Sequence, residues 1–147
     1  DATHIPQRGG GAAATAVLNG TATFVCTNSS SLAGFVANGQ LHPLLVTTST
    51  PVEGFDAPSA ADHGHPELEQ LVGWTGIAGP ADLPGDIAAK WGGWMDAAVS
   101  DGKFVKTMES RGSIIRLMDP EKSNAFIQKQ YETFRALVDE LGMRIEG

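Results

Sequence analysis

Residues 4–49 read HIPQRGGGAAATAVLNGTATFVCTNSSSLAGFVANGQLHPLLVTTS, and the order of residue types here decides the fold class. Short apolar runs alternate with segments of small residues, and Gly, Asn or Ser stands at each junction. That rhythm predicts strands alternating with helices, an α/β arrangement. THIP (3–6) predicts a short strand ended by Pro6. Gln7-Arg8-Gly9-Gly10-Gly11 then forms a loop feeding a helix over AAATAVL (12–18), which Asn19-Gly20 stops. The pattern repeats: ATFVC (22–26) predicts a buried strand, Asn28 or Ser29 caps a helix over SSLAGFVAN (30–38), and Gly39 ends it in the left-handed conformation. LHPLLVTT (41–48) predicts a third strand, which Pro43 confines to a sheet edge or to Leu44–Thr48 because proline has no N–H for a ladder.

Working outward, residues 49–66 are rich in Pro, Gly, Asp and His without periodicity, apart from a helical turn at Ser59–His63. They read as a surface loop and as the main boundary of the chain. LEQLVGWTGIAGP (68–80) is a further extended apolar run. Pro80 and Pro84 lead into a helix that places Ile87, Trp91, Trp94, Met95 and Ala98 at three- and four-residue spacing, with Trp91 and Trp94 on its buried face and Gly92-Gly93 weakening it. Asp101 caps a short helix bearing Phe104, Val105 and Met108 that Gly112 ends, and SIIRL (113–117) predicts a short strand. Asp119 in cap position and Pro120 at the first helical position open the last helix. Its Phe126, Ile127, Tyr131, Phe134, Val138 and Leu141 form one apolar face, closed by Gly142.

The 147 residues, 41% of them hydrophobic, suffice for one moderate core or two part-domains. A formal charge of -7 with ten thinly spread basic residues argues against nucleic acid, whose phosphates need clustered Lys and Arg. No run approaches the length that spans a bilayer, and the first residues lack a basic and apolar leader, so the expectation is a soluble chain. Cys26 has no second cysteine to pair with and reads as a small buried hydrophobe.

Two strand-to-helix junctions, Gln7–Gly11 and Thr27–Ser31, share exposed N–H groups at a helix start preceded by small residues, which suits an anion. In parallel α/β sheets ligands gather beyond the carboxyl ends of the strands, so both loops could face one crevice, with Arg8 adding a bidentate carboxylate contact. The plainer readings weigh against this. A glycine run before a helix is more often only a turn, a lone arginine is more often solvated, Asn and Ser before a helix are caps first, and Trp74 packs in a core more often than it binds. His63 and His65, beside Asp62 and Glu67, lack the fixed geometry of a metal site, so no metal and no cofactor is expected. There is no nucleophile elbow, no HExxH and no phosphate loop, which moves the weight from catalysis towards binding.

The stretch quoted above resembles the tripartite tricarboxylate transporter receptors, also called Bug-type solute-binding proteins. These carry a His-Val/Ile-Pro, aromatic, basic, Gly segment, a small-residue helix, a Gly-x-x-Asp turn, a strand, an Asn-containing loop and a Leu-rich strand ending in Thr-Ser. GWTGIAGPADLP (73–84) is similar to the family's Trp-x-Gly-x-x-Ala-Pro-x-x-x-Pro stretch, and the likeness continues through FVKTMESRG (104–112) and MDPEKSNAFIQKQ (118–130). The resemblance implies a periplasmic, two-lobed receptor of the type II periplasmic-binding-protein fold, built from Rossmann-like part-domains, that closes over a small carboxylate and delivers it to membrane transporter subunits. It matches the family's second half. Residues 1–66 are then the remainder of the second lobe, residues 67–147 the hinge return and carboxy-terminal helices of the first, and the rest of the cleft would precede Asp1.

Carried over by position, Gln7, Arg8 and Gly9 match the aromatic, basic, Gly segment, Thr27, Asn28 and Ser29 the strand-end loop, and Trp74 and Thr75 the hinge. Gln7 replaces the aromatic residue, Thr23 the turn Asp, and Thr27 stands where many members carry Asp. The last change removes repulsion towards an anion, or recognition of an amine. Two rival readings are an α/β enzyme acting on small carboxylic acids, for which no paired acid and base is present, and a protein-interaction module, which self-association of the chain would favour.

Overall fold

A computed structural model describes residues 2–142. Five α-helices follow one another: α1 (Gly10–Leu18), α2 (Ser29–Ala37), α3 (Gly85–Ser100), α4 (Gly102–Glu109) and α5 (Pro120–Leu141). Two 3-10 turns, Ala61–His63 and Pro66–Gln70, lie between α2 and α3. All five helices stand where hydrophobic spacing and punctuation predict them, and their ends show why. At the end of α2, Gln40 N–H donates to Phe35 O (2.8 Å) and Gly39 N–H to Val36 O (2.9 Å). Gly39 supplies the positive φ of 67° that this Schellman closure needs. Asp101 ends α3 and starts α4 with a single extended residue, its carboxylate accepting from Lys103 N–H at 2.8 Å. Asp119 does the same for α5, accepting from Lys122 N–H at 2.8 Å, with Pro120 at the first helical position. The Gly92-Gly93 pair lies inside α3 without interrupting it.

The expected strands differ. No β-strand forms among the described residues; the only ladder contact there is an isolated parallel bridge between Val46 and Ser59, in which Val46 N–H donates to Pro58 O (3.0 Å) and Ala60 N–H to Val46 O (2.8 Å). THIP, ATFVC, GWTGIAGP and SIIRL are without ladder partners in this region. A helix closes its hydrogen bonds within a few residues, whereas a strand exists only against a neighbour. The helical part of the α/β expectation is thus present and the sheet part is not.

The same lack of neighbours leaves the interior small. Among the described residues, Ala14 and Ala16 on α1, with Val52 and Ala60 in the loop region, are the buried apolar residues. α1 packs on α2 and α3 on α4. Several burial expectations are corrected accordingly. Cys26 is exposed, because the run that carries it has no strand beside it. Trp91 and Trp94, edge to face at 5.1 Å, are 45% and 60% exposed rather than buried, since no element among the described residues covers that side of α3. On α5 the apolar face exists but is mostly open, Tyr131 being 60% exposed. α5 is held instead through Gln130, whose amide donates to Gln70 O at 3.0 Å, and through Phe126, edge-on to Trp74 at 6.0 Å. In the 49–69 region Ser49 gives its N–H and hydroxyl to Glu69 (3.2 and 2.6 Å), which holds that carboxyl below the ordinary range.

The Asp119 cap makes α5 acid-sensitive. Hydrogen bonds from the Lys122 side chain first, and then its backbone N–H, hold the Asp119 carboxyl below its ordinary value of 3.8. A depressed folded value means that the carboxylate stabilises the helix above pH 3.8, and that this contribution is lost as pH falls through the lower folded value. Asp119→Asn keeps a capping oxygen and removes the charge. Circular dichroism of the two proteins is therefore expected to give a difference curve that is flat at neutral pH and changes below about pH 4. A difference curve flat throughout would rule out the charged cap.

Candidate functional site

Three crowded glycines lie around the first turn of α2. A Cβ added to Gly10 would stand 2.5 Å from both Cβ and Oγ of Ser31 and 2.9 Å from Oγ1 of Thr27. One added to Gly73 would run into the Asn28 amide, 2.6 Å from its Cγ and 2.7 Å from its Nδ2. One added to Gly112 would lie 3.2 Å from the Ser29 carbonyl carbon and 3.3 Å from Ser29 Cβ. Three segments remote in sequence, at 10, 73 and 112, thus close on Thr27–Ser31. The absence of a side chain at each of the three positions is what allows it.

The two helix starts expected to bind an anion are brought together here. α1 begins after Gly9 and α2 after Asn28, and neither cap residue gives a side-chain hydrogen bond to its helix. For Asn28 this corrects the capping expectation: its amide is turned against Gly73 rather than back onto the N–H groups of α2. The N–H groups of Gly10 and Gly11, and of Ser29 and Ser30, accordingly have no acceptor among the described residues, and each helix start carries a partial positive charge. Thr27 and Ser31 place hydroxyls at the start of α1, while the Ser29 hydroxyl is committed, donating to Gly112 O at 2.6 Å. None of the residues in this cluster is acidic, a local exception in a chain of net charge -7.

The remaining expected residues lie around the cluster. Gln7 accepts the Gly9 N–H through its carbonyl at 3.0 Å, which shapes the turn into α1. Its side chain and that of Arg8 are exposed, and Arg8 has no ion pair among the described residues. Trp74 and Thr75 follow directly on Gly73 and are exposed, the indole edge meeting Phe126 of α5. Reading the sequence missed Gly73 and Gly112 as packing positions. Gly112 was legible only as a helix stop, its φ of 72° serving the end of α4 while its bare Cα faces Ser29. His65 pairs with Glu67 at 3.0 Å on the surface, and no cluster of three metal-ligating side chains occurs among the described residues. Neutral backbone N–H and hydroxyl donors at two adjacent helix starts are groups of the kind that hold an anion.

A family model described as "Tripartite tricarboxylate transporter family receptor" matches residues 1–143. Among curated proteins, the chain is 25% identical over 140 residues to an Agrobacterium vitis protein described as "UPF0065 protein in the TAR-I ttuE-ttuC' intergenic region". The match covers 95% of this chain and 39% of that protein, so the chain spans about two fifths of the relative's length. No solved structure matches.

The packing at the α2 start predicts opposite outcomes for adjacent glycines. Gly10→Ala forces a methyl group against Ser31 Cβ, which cannot move without its backbone, and is expected to cost about 1–3 kcal/mol. Gly11→Ala, with open space at its Cβ, is expected to be neutral or to stabilise by up to about 1 kcal/mol through helix propensity. Urea unfolding of both variants checks this, and equal effects would contradict the close approach of the two helix starts.

Proposed function

This chain belongs to the tripartite tricarboxylate transporter receptor family, and from that premise we propose that it forms part of a solute cleft in which the first turns of α1 and α2 hold a carboxylate. The family is one of substrate-binding receptors that work with membrane transporter components. For this chain the finer reading is an extracytoplasmic, periplasmic receptor of the Bug type. Its lobes, each a Rossmann-like α/β unit, close by hinge motion over a small carboxylate. Residues 1–66 belong to one lobe and residues 67–147 to the return into the other, with Trp74 and Thr75 at the crossing.

The observation that carries this reading is the meeting of two helix starts with unoccupied N–H groups and no carboxylate between them. Each N–H gives a charge-assisted hydrogen bond to a carboxylate oxygen, and the two helix dipoles add in the same sense. The N–H groups of Gly10, Gly11, Ser29 and Ser30, with the hydroxyls of Thr27 and Ser31, are the direct donors. Asn28 and Ser29 position the turn by holding Gly73 and Gly112, and Gln7 and Gly9 shape the approach. Arg8, exposed at the mouth, adds a long-range attraction that is lost when the cleft is salt-screened. Trp74 supplies an apolar wall for the body of the solute. Thr27 decides the sign of the site, since a carboxylate there would oppose an anion and favour an amine.

Calorimetric titration of the complete receptor against di- and tricarboxylates and aromatic acids tests the proposal. Binding of at least one anion class is expected, with Thr27→Asp lowering its affinity tenfold or more, equivalent to about 1.4 kcal/mol. Arg8→Ala is expected to cost less, and to lose its effect in high salt. A folded receptor that takes none of these anions, or an unchanged affinity in Thr27→Asp, would overturn the assignment.

A further inference from the structure

α5 grips the chain on both sides of Gly73. Gln130, 6% exposed, is the buried residue of α5 among the described residues, and its amide donates to Gln70 O at 3.0 Å. Phe126, one turn earlier on the same face of the helix, meets the edge of Trp74 at 6.0 Å. Between these two grips, residues 72–75 make no backbone hydrogen bond among the described residues. The place of Gly73 is therefore set by its flanks, and the flanks are set by Phe126 and Gln130. Of the two, Gln130 is the sharper restraint, because a hydrogen bond to a backbone carbonyl fixes distance and direction together.

Gly73 in turn decides what Asn28 does. Asn28 has φ −63° and ψ 137°, the extended backbone of an N-cap. Its backbone carbonyl accepts from Ser31 N–H at 2.9 Å, and its side chain is exposed. Only side-chain torsions separate this state from one in which the Asn28 Oδ1 accepts from Ser30 N–H, one of the donors assigned to the anion. Against Gly73 the amide makes no hydrogen bond among the described residues. Packing alone keeps it there, and the position gives way to the capped one once Gly73 withdraws.

We propose that Gln130 is a positioning residue for the anion site: by holding residues 70–74 on α5 it keeps the Asn28 amide off the α2 start, so that α5 docking and anion binding are linked equilibria. The ligand in this proposal rests on the carboxylate reading of the α1 and α2 starts, whereas the Asn28 switch is a property of the free protein. When α5 releases the segment, Asn28 caps α2, and an incoming carboxylate has to displace it from Ser30 N–H. An asparagine cap shifts such an equilibrium about fivefold, and release of the segment lowers anion affinity by about that factor. Linkage makes the effect reciprocal: a bound anion excludes Asn28 from the cap and so favours docked α5.

A double-mutant cycle in the complete receptor tests this, read by NMR amide exchange of the Ser30 N–H and by calorimetric titration with citrate and with benzoate. Gln130→Met keeps the length of the side chain and removes its donor. In the free protein it is expected to slow Ser30 exchange about fivefold, and to weaken anion binding by about the same factor. In the Asn28→Ala background no amide is left to cap α2, and there the same substitution is expected to change either quantity less than about twofold. Equal effects of Gln130→Met in both backgrounds would make its role merely structural and overturn the proposal, as would Ser30 exchange that Gln130→Met leaves unmoved. If neither acid binds, exchange alone decides: slowing that Asn28→Ala abolishes supports the switch, and the missing heat then counts against the carboxylate reading alone. Where Gln130→Met does not fold, Phe126→Leu, which loosens the other grip on Gly73, takes its place in the cycle with the same expected outcomes.

Discussion

The arrangement depends on contact at three positions where a glycine lets a neighbour approach closely. Gly10, Gly73 and Gly112 bring three separate segments against the first turn of α2, and each meets a different residue of that turn: Ser31, Asn28 and Ser29. At Gly10 and Gly112 such contacts are short in reach and steep in energy, because a methyl group in the way meets backbone or a Cβ bound rigidly to it, whereas at Gly73 it meets the amide end of Asn28. With so few residues buried elsewhere, these approaches, rather than a broad apolar core, set where α1, the Trp74 stretch and the end of α4 stand relative to one another. The Ser29 hydroxyl on Gly112 O adds a directional restraint to the same turn.

How much of the fold was legible follows from the reach of the interactions involved. Helix ends were read correctly at Asp101, Asp119, Gly39 and Gly142 because each cap is decided within about four residues of sequence. The strands at 22–26 and 113–117 were read from β-branched and apolar composition, which reports a preference for a pleated, half-buried surface and not the presence of one. Without a neighbour the same residues become exposed extended chain, and the burial of Cys26 fails with the strand. Trp91 and Trp94 show the same limit on a helix. Their spacing correctly predicts a shared face of α3, but periodicity names the face and not what covers it.

The site divides along similar lines. Glycine loops before helices are visible in sequence, and so the two candidate anion sites were. That the two helix starts lie together follows from the approach of Gly10 to Ser31, a contact across 21 positions that no local pattern carries. Asn28 is the instructive error. As the residue before a helix it reads as a cap, and in isolation a cap is what it would be. Tertiary packing against Gly73 takes the amide away, which removes a competing acceptor from the N–H groups of α2. A structural contact thereby leaves a binding group open.

Magnitudes bear on how a chain with net charge -7 would present the proposed anion site. At physiological ionic strength the field of an exposed carboxylate decays over about 8 Å, so most of the acidic surface contributes little at the α1 and α2 starts. The contacts that remain are those within hydrogen-bonding range: backbone N–H groups with the partial charge of a helix end, and the hydroxyls of Thr27 and Ser31, all neutral in formal count. An anion held by neutral donors needs no counter-charge to be buried with it, which avoids the desolvation cost that a closely paired Arg or Lys would incur. Selectivity then rests on the sign of the few atoms at contact distance. Thr27, at the meeting point of the two helix starts, is where one carboxylate in place of a hydroxyl would outweigh the rest of the surface charge.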